Sequence, residues 1–488
     1  MESHEAVQPV SAPQRPTPRR IGPRLYEIST DFSPAMRVPA RVFADEVLIE
    51  QVQRDRSLEQ LVNVTTLRGI VRAAYGMPDM HEGYGFPVGG VAATLLPDGI
   101  VSPGGIGFDI NCGVRLLVSD LEHGAVASRI EAVTHELSRA VPAGFGRSSR
   151  TVFEHEELDH ILAEGVPWLV REKGIGLPED LDHIESGGRL EWARVDQVSE
   201  RARNRGRSQL GTLGGGNHFL EIQVVDRIFD EKAARTLGLA EGRITVLIHT
   251  GSRGLGHQVA SDWIKVMDAV MPHYGIEVPD RQLACAPLSS REGAGYFGAM
   301  AAAANFAFCN RTVIAHRVRE AFARIIGPHA ELRLVYDVAH NTAKLETYDG
   351  ERLCVHRKGA TRAFGPSSEE IPATYRGIGQ PVFIPGSMGT ASHVLVGTDA
   401  AAELSFASTC HGAGRAMSRT ASRKQVQGAR LRREMEAQGI VVRSPSNAEL
   451  AEEAPVAYKD VDRVVDVVHE AGIARKVARL RPLGVVKG

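Results

Sequence analysis

The chain has 488 residues, enough at about 150 per domain for three domains or for one large unit. With 57 Lys+Arg against 59 Asp+Glu its formal net charge is −2, which excludes a histone-like coating of nucleic acid. Hydrophobic residues at 43% and charged residues at 24% are globular values, so the chain can bury a large core.

The first stretch, MESHEAVQPVSAPQRPTPRR, mixes proline with charge and has no apolar centre, unlike a secretory signal. Residues 1–40 are therefore expected as a disordered tail ahead of a domain over 41–488. In chain order, a short β-rich run at Val114–Val118 precedes helical spacing over Leu121–Val141. A charged, irregular stretch follows at 147–207 and reads as an inserted lobe. Strand-like runs then occupy Phe219–Val225 and Ile244–Ile248, with helical spacing over His257–Met271 and from Gly298 to Ile326. Leu332–Val338 is a further strand, and no linker separates these pieces. The expected fold is mixed α/β (α+β), one large domain with central sheets flanked by helices.

Five scattered cysteines, Cys112, Cys285, Cys309, Cys354 and Cys410, suit no disulfide framework and point to a reducing, cytoplasmic setting. No apolar run approaches the roughly 20 residues of a membrane helix. The 50 glycines are clustered without any repeat period.

The glycine clusters carry the chemistry-bearing residues. Asp109 and Cys112 stand three apart in GGIGFDINCG, where both side chains can aim at one point. Asn217 and His218 follow three glycines and lead into a strand containing Glu221. Two other strands run into His249 and His340. Singly, each of these reads more readily as a core cysteine, a capping Asn or a structural histidine than as a ligand. Together they offer a carboxylate, a thiolate and three imidazoles, a set suited to Mn, Fe, Co or Zn. Their separation along the chain implies a site assembled by the fold, not a zinc module.

Two more turns, PGSMGTAS over 385–392 and CHGAGR over 410–415, present backbone N–H groups suited to phosphate, without a P-loop or dinucleotide signature. His411 in the second suits a nucleophile on phosphorus, since neutral imidazole is available near pH 7. From His411 to Arg433 there are seven Lys/Arg and no acid, and Arg201, Arg203, Arg205 and Arg207 form a second basic cluster. Such runs are ordinarily solvated faces, but one starting at a nucleophile also reads as a polyanion track.

In this order the stretches MPDMHEGYGFPVGG, GGIGFDINCGVR, LGGGNHFLEI, HTGSRGLGHQV, DVAHNTAKLE, FIPGSMGTASHVLVG, CHGAGRAMSR and PLGVVKG resemble the RtcB family of RNA-splicing ligases. The resemblance implies a GTP- and Mn²⁺-dependent enzyme that joins RNA 3′-phosphate or 2′,3′-cyclic phosphate ends to 5′-hydroxyl ends in tRNA splicing or RNA repair. Its partners would be RNA ends, with an accessory activator protein in some members. It implies two Mn²⁺ ions, one on Asp109, Cys112 and His218 and one on Cys112, His249 and His340. His411 would take the guanylate, with Asp79 orienting its ring. Asn217 would meet the GMP phosphate, and Glu221, Ser392, Tyr458 and Lys487 the guanine. Asn341, Pro385, Gly386, Ser387, Met388, Ala413 and Gly414 would complete the nucleotide site, and Arg415 and Arg419 would meet RNA. The alternatives are a two-metal phosphoesterase, in which His411 has no task, and a non-enzymatic RNA-end binder, which leaves five ligands unexplained.

Overall fold

Two largely antiparallel sheets meet at His340. In the computed structural model, which describes residues 15–144, 146–149 and 151–488, the strand Leu332–Ala339 belongs to one sheet and Asn341–Tyr348 to the other. The chain crosses between sheets at the histidine itself.

The first sheet runs Arg19–Gly22, Leu25–Ile28, Ala40–Phe43, Ala74–His81, Val88–Leu95, Glu351–Lys358 and Asn341–Tyr348. All neighbours are antiparallel except Ala40–Phe43 and Ala74–His81. The last two strands in that order form a hairpin over Asp349-Gly350, both with positive φ (53° and 80°), the geometry that an Asp-Gly turn supplies.

The second sheet runs Leu332–Ala339, Gly113–Glu122, Arg243–Thr250, Phe219–Ile228, Ala474–Lys487, Ser392–Gly397 and Pro381–Ile384. Its register decides the site. Ala339 lies opposite Gly113, Gly113 opposite Thr250, and Phe219 between His249 and Lys487. His340, Cys112, His249, His218 and Lys487 therefore collect at one end of adjacent strands.

The expected mixed α/β fold holds. The helix Arg291–Ile325 contains the predicted Ala-rich run and is buried over most of its length, because Gly and Ala let strands and helices approach its axis. Arg253–Val270 contains the second predicted helix, while the stretch at 121–141 starts as the end of a strand and becomes helical only in pieces, chiefly Ile130–Ala140. Residues 147–207 supply the helices His155–Glu164, Val166–Lys173 and Glu200–Gly206, whose apolar residues join the larger hydrophobic core.

The N-terminal expectation needs correction. Arg19–Gly22 and Leu25–Ile28 form a hairpin on the first sheet, so disorder does not extend to residue 40. The reason lies in alternation: Tyr26 and Ile28, on either side of Glu27, both face the core. Arg24 also reaches Glu470 at 2.5 Å. Residues 1–14 of the expected tail lie outside the described residues. Among the described residues, no helix is long and apolar enough to cross a membrane.

Candidate active site

The ligand loop is fixed by backbone and buried charge. Cys112 N–H donates to Asp109 O at 3.0 Å, and His340 N–H donates to Cys112 O at 2.9 Å. Asn111 takes a positive φ of 54°, and its Nδ2 donates to Ala304 O on the long helix at 2.8 Å. Beneath the loop, Arg311 pairs with Asp337 at 2.8 Å and donates to Asn111 O and Thr250 O at 2.8 and 2.9 Å. Arg115 holds the same carboxylate at 2.7 Å, and all three side chains are fully buried. One ion-pair group thus braces the loop and the His249 strand together.

On that frame the expected ligands converge. Asp109, Cys112 and His218 place one ligand atom each within 4.8 Å of one another, as do Cys112, His249 and His340. Cys112 Sγ lies 3.3 Å from His218 Nε2 and 3.4 Å from His249 Nε2. His249 Nε2 faces His340 Nε2 at 3.2 Å, and His218 Nε2 faces Asp109 Oδ2 at 2.8 Å. Gly214 N–H and the Thr250 hydroxyl occupy the far edge of His218, at 3.2 and 3.4 Å from Nδ1, which leaves Nε2 for the centre.

The electrostatics suit cations. Burial, then the neighbouring His218 and His411, holds His249 well below the usual imidazole range; burial, then His411 and His249, does the same for His340. Both therefore present neutral rings. Burial works against the Asp109 carboxylate but is outweighed by His218, so Asp109 stays ionised. Burial and Asp109 push the Cys112 thiol up, an effect a bound cation reverses by stabilising thiolate. A thiolate shared between two imidazole-containing triads fits a pair of borderline divalent ions.

His411 follows the short strand Ser408–Cys410 and lies beside this centre, its ring 4.8 Å from that of His340. Asp79 Oδ2 faces His411 Nδ1 at 2.6 Å and accepts from the His411 backbone N–H at 3.1 Å. The backbone on either side of Asp79 is held by Lys459, whose Nζ donates to Pro78 O and Met80 O at 3.2 and 2.6 Å. Gly414 has a φ of +75° and lies so near that a Cβ there would come within 2.2 Å of Asp79 O, so the turn after His411 requires glycine.

Around His411 opens a cavity lined by Asp109, Cys112, His249 and His340 together with Asn217, Asn341, Pro385, Gly386, Ser387, Met388, Ala413, Gly414, Arg415, Arg419, Tyr458 and Lys487. The two phosphate-type turns meet there, joined by Ala413 N–H donating to Pro385 O at 3.1 Å. Asn341 is committed to structure: its Nδ2 donates to Asp109 O at 3.0 Å and its Oδ1 accepts from Gly359 N–H at 2.8 Å. His218, Glu221, Ser392 and Asp79 stand just outside the lining. Gln223 Nε2 bridges Glu221 and Ser392 at 2.8 and 3.0 Å, leaving Glu221 Oε1 buried without a partner among the described residues. Burial pushes Glu221 up to about 8 and Lys487 down to about 8.

The basic track changes character in three dimensions. Arg415 pairs with Glu453 at 3.2 Å, Arg419 with Glu453 at 3.1 Å and Arg423 with Glu452 at 3.3 Å. The helix Asn447–Glu452 and Glu453 after it bring the acids that the run lacks in sequence. In the second cluster, Arg203 pairs with Asp159 at 3.1 Å and Arg207 with Glu154 at 3.7 Å.

Sequence reasoning missed Lys358 and Glu453 in the lining. Lys358 Nζ donates to Tyr84 O and Phe86 O at 2.6 and 3.0 Å, and burial pushes it down to about 7. Nothing local marks it beyond its place at a strand end. Glu453 was legible as part of the acidic patch 449–453 that balances the arginines.

Comparison with known proteins settles the family. The model of the family described as tRNA-splicing ligase RtcB matches residues 60–488. The chain belongs to the RtcB family. It is 54% identical over 477 residues to the tRNA-splicing ligase RtcB of Archaeoglobus fulgidus, covering 96% of this chain and 98% of the relative. The tRNA-splicing ligase RtcB of Thermococcus kodakarensis is 52% identical with the same coverage. The RNA-splicing ligase RtcB of Mycobacterium tuberculosis is 51% identical over 436 residues, 88% of this chain and all of the relative. A coverage of 96% reaches into the first 40 residues, in keeping with the ordered N-terminal hairpin.

Proposed function

We propose that this RtcB family member joins RNA 3′-phosphate or 2′,3′-cyclic phosphate ends to 5′-hydroxyl ends with GTP and Mn²⁺, in the cytoplasm, during tRNA splicing or RNA repair. The observation that carries the reading is His411, held at Nδ1 by a buried carboxylate beside a thiolate–imidazole centre. A phosphoesterase would need the centre but not the oriented imidazole.

Asp109, Cys112 and His218 would hold one Mn²⁺, and Cys112, His249 and His340 a second. Bound there, the ions would offset phosphate charge and favour in-line displacement. With Nδ1 turned to Asp79, His411 presents Nε2 to the α-phosphorus of GTP; the N–P bond forms and pyrophosphate leaves. An RNA 3′-phosphate oxygen then displaces His411 and takes the guanylate. The 5′-hydroxyl attacks that activated phosphate and GMP departs, leaving a phosphodiester. A cyclic end is first opened by water.

Asn217, Ser387 and the Ala413–Gly414 backbone, with Pro385, Gly386 and Met388, would surround the phosphates, and Tyr458, Lys487, Ser392 and Glu221 the base. The unpartnered Glu221 Oε1 supports this, because guanine N1–H and N2–H₂ donate where adenine does not. An accessory activator protein would act on this same cycle.

The test is incubation of the protein with α-labelled GTP and Mn²⁺. Acid-labile label on His411, absent from His411→Ala, is expected. Hydrolysis of RNA ends without label would replace the ligase reading by a phosphoesterase.

A further inference from the structure

The arginines nearest His411 are paired with acids, yet a polynucleotide has to approach the cavity. A cluster of weakly compensated positive charge lies one wall away. A second cleft, of about 500 Å³, is lined by Arg139, Arg147, Arg443 and Lys487 with the hydroxyls of Ser138 and Ser444, and no carboxylate is in its lining among the described residues. Lys487 lines this cleft and the cavity around His411 alike.

The walls are built by the ligand-bearing elements. Lys487 ends the strand that pairs with Phe219, the residue after His218. A Cβ on the terminal Gly488 would come within 2.3 Å of both Gly144 N and Gly214 O, so the cleft wall at Gly144 abuts the turn that carries His218. On the other side, Arg443 belongs to the strand Val441–Arg443, parallel to Ala474–Lys487.

The pairing of these cations differs in kind from that of Arg415 and Arg419. Glu453, the partner of Arg415 and Arg419, has a side chain 1% exposed, so both arginines are tied to a buried carboxylate. Arg443 meets Glu131 at 3.0 Å, but that carboxylate is 74% exposed. Arg139, 64% exposed, meets Glu136 only at 3.6 Å, and Glu136 is nearer to Arg324 at 2.5 Å. The Arg443 pair has an exposed carboxylate, and the Arg139 contact is long to a Glu136 already held by Arg324, so neither cation is tightly committed and both can exchange for a phosphate.

The geometry points to this cleft as a phosphodiester subsite, in which Arg139, Arg147 and Arg443 hold the backbone of an RNA strand whose end enters the His411 cavity past Lys487. Convergent guanidinium groups and hydroxyls without an acid are the chemistry of sequence-independent backbone contact. The inference rests on the RNA-joining reading above and adds the path of the strand.

The experiment is fluorescence anisotropy of the full-length protein with a 12-nucleotide 3′-phosphorylated RNA over a salt series, comparing R139A/R443A with R139K/R443K. Neutralising two contacts is expected to weaken binding about tenfold and to lower the salt slope by about 1.4, at ~0.7 per phosphate contact on a single strand. The double Lys variant, which keeps the charge and controls for folding, is expected to retain the slope. An R139A/R443A protein with wild-type affinity and slope would overturn the subsite. Labelling of the wild-type protein by GTP needs no RNA, so it tests the ligase reading separately.

Discussion

Asp79 grips His411 at two points with a single oxygen, Oδ2 accepting from the backbone N–H at 3.1 Å and facing ring Nδ1 at 2.6 Å. The contact fixes both the tautomer and the aim of the ring, because a carboxylate at Nδ1 keeps the proton there and leaves Nε2 with its lone pair. Asp79→Asn offers only one acceptor oxygen and adds an amide that can turn toward the ring. Guanylylation is expected to slow by about 100-fold or more while GTP binding stays within a few fold. Single-turnover labelling alongside equilibrium GTP binding checks this, and an unchanged labelling rate would remove Asp79 from the mechanism.

Cys112 is the ligand common to both triads, with imidazole nitrogens on either side at 3.3 and 3.4 Å. Cys112→Ala should therefore disturb two ions where loss of His218 or His340 disturbs one. The expected outcome is loss of most bound Mn²⁺ and of guanylylation, with far-UV circular dichroism unchanged because the removed group is a single small buried side chain. Elemental analysis after dialysis gives the ion count. Full occupancy with retained labelling would show that the sulfur is not shared.

Much of this centre was legible before any fold was known, since each ligand sits in a glycine turn or at a strand end, where backbone geometry leaves a local mark. His218, His249 and His340 were found that way. What the sequence could not show is pairing across the sheet: that Phe219 lies between His249 and Lys487 follows only from register. The arginine run misled for the same reason. Its balancing acids, Glu452 and Glu453, are about 30 residues further on and meet it only after the intervening chain folds back. At the N-terminus, proline and charge concealed the short alternation of Tyr26 and Ile28.

The group of Arg115, Arg311 and Asp337 is fully buried, so its worth lies in completeness. Arg311→Met would leave the carbonyls of Asn111 in the loop and Thr250 at the strand end without their guanidinium donor. A loss of about 3–5 kcal/mol is expected from removing one partner of a buried pair. Asp337→Ala should cost more, because it strands two guanidinium groups together. Urea unfolding ranks the two variants, and equal or inverted losses would contradict the role assigned to the carboxylate.

Glu221 offers a test that joins stability to specificity. Burial pushes its carboxyl up to about 8, against an ordinary value near 4.3 in the unfolded chain. The folded protein thus keeps a proton that the unfolded chain releases between those values. The contribution is fully present below about pH 4 and is lost as pH rises to 8, by up to ~1.4 kcal/mol per pH unit. Glu221→Gln cannot titrate, so its stability relative to wild type should climb from pH 5 to pH 7.5. Melting both proteins across that range reads the difference, and parallel curves would place the proton elsewhere. Guanine adds the second arm, since its N1–H and N2–H₂ donors favour the ionised carboxylate. GTP affinity of the wild type should therefore rise toward pH 8, while Glu221→Gln should lose both that rise and most of the preference for GTP over ATP. A variant that still discriminates the two bases would move guanine recognition away from Glu221.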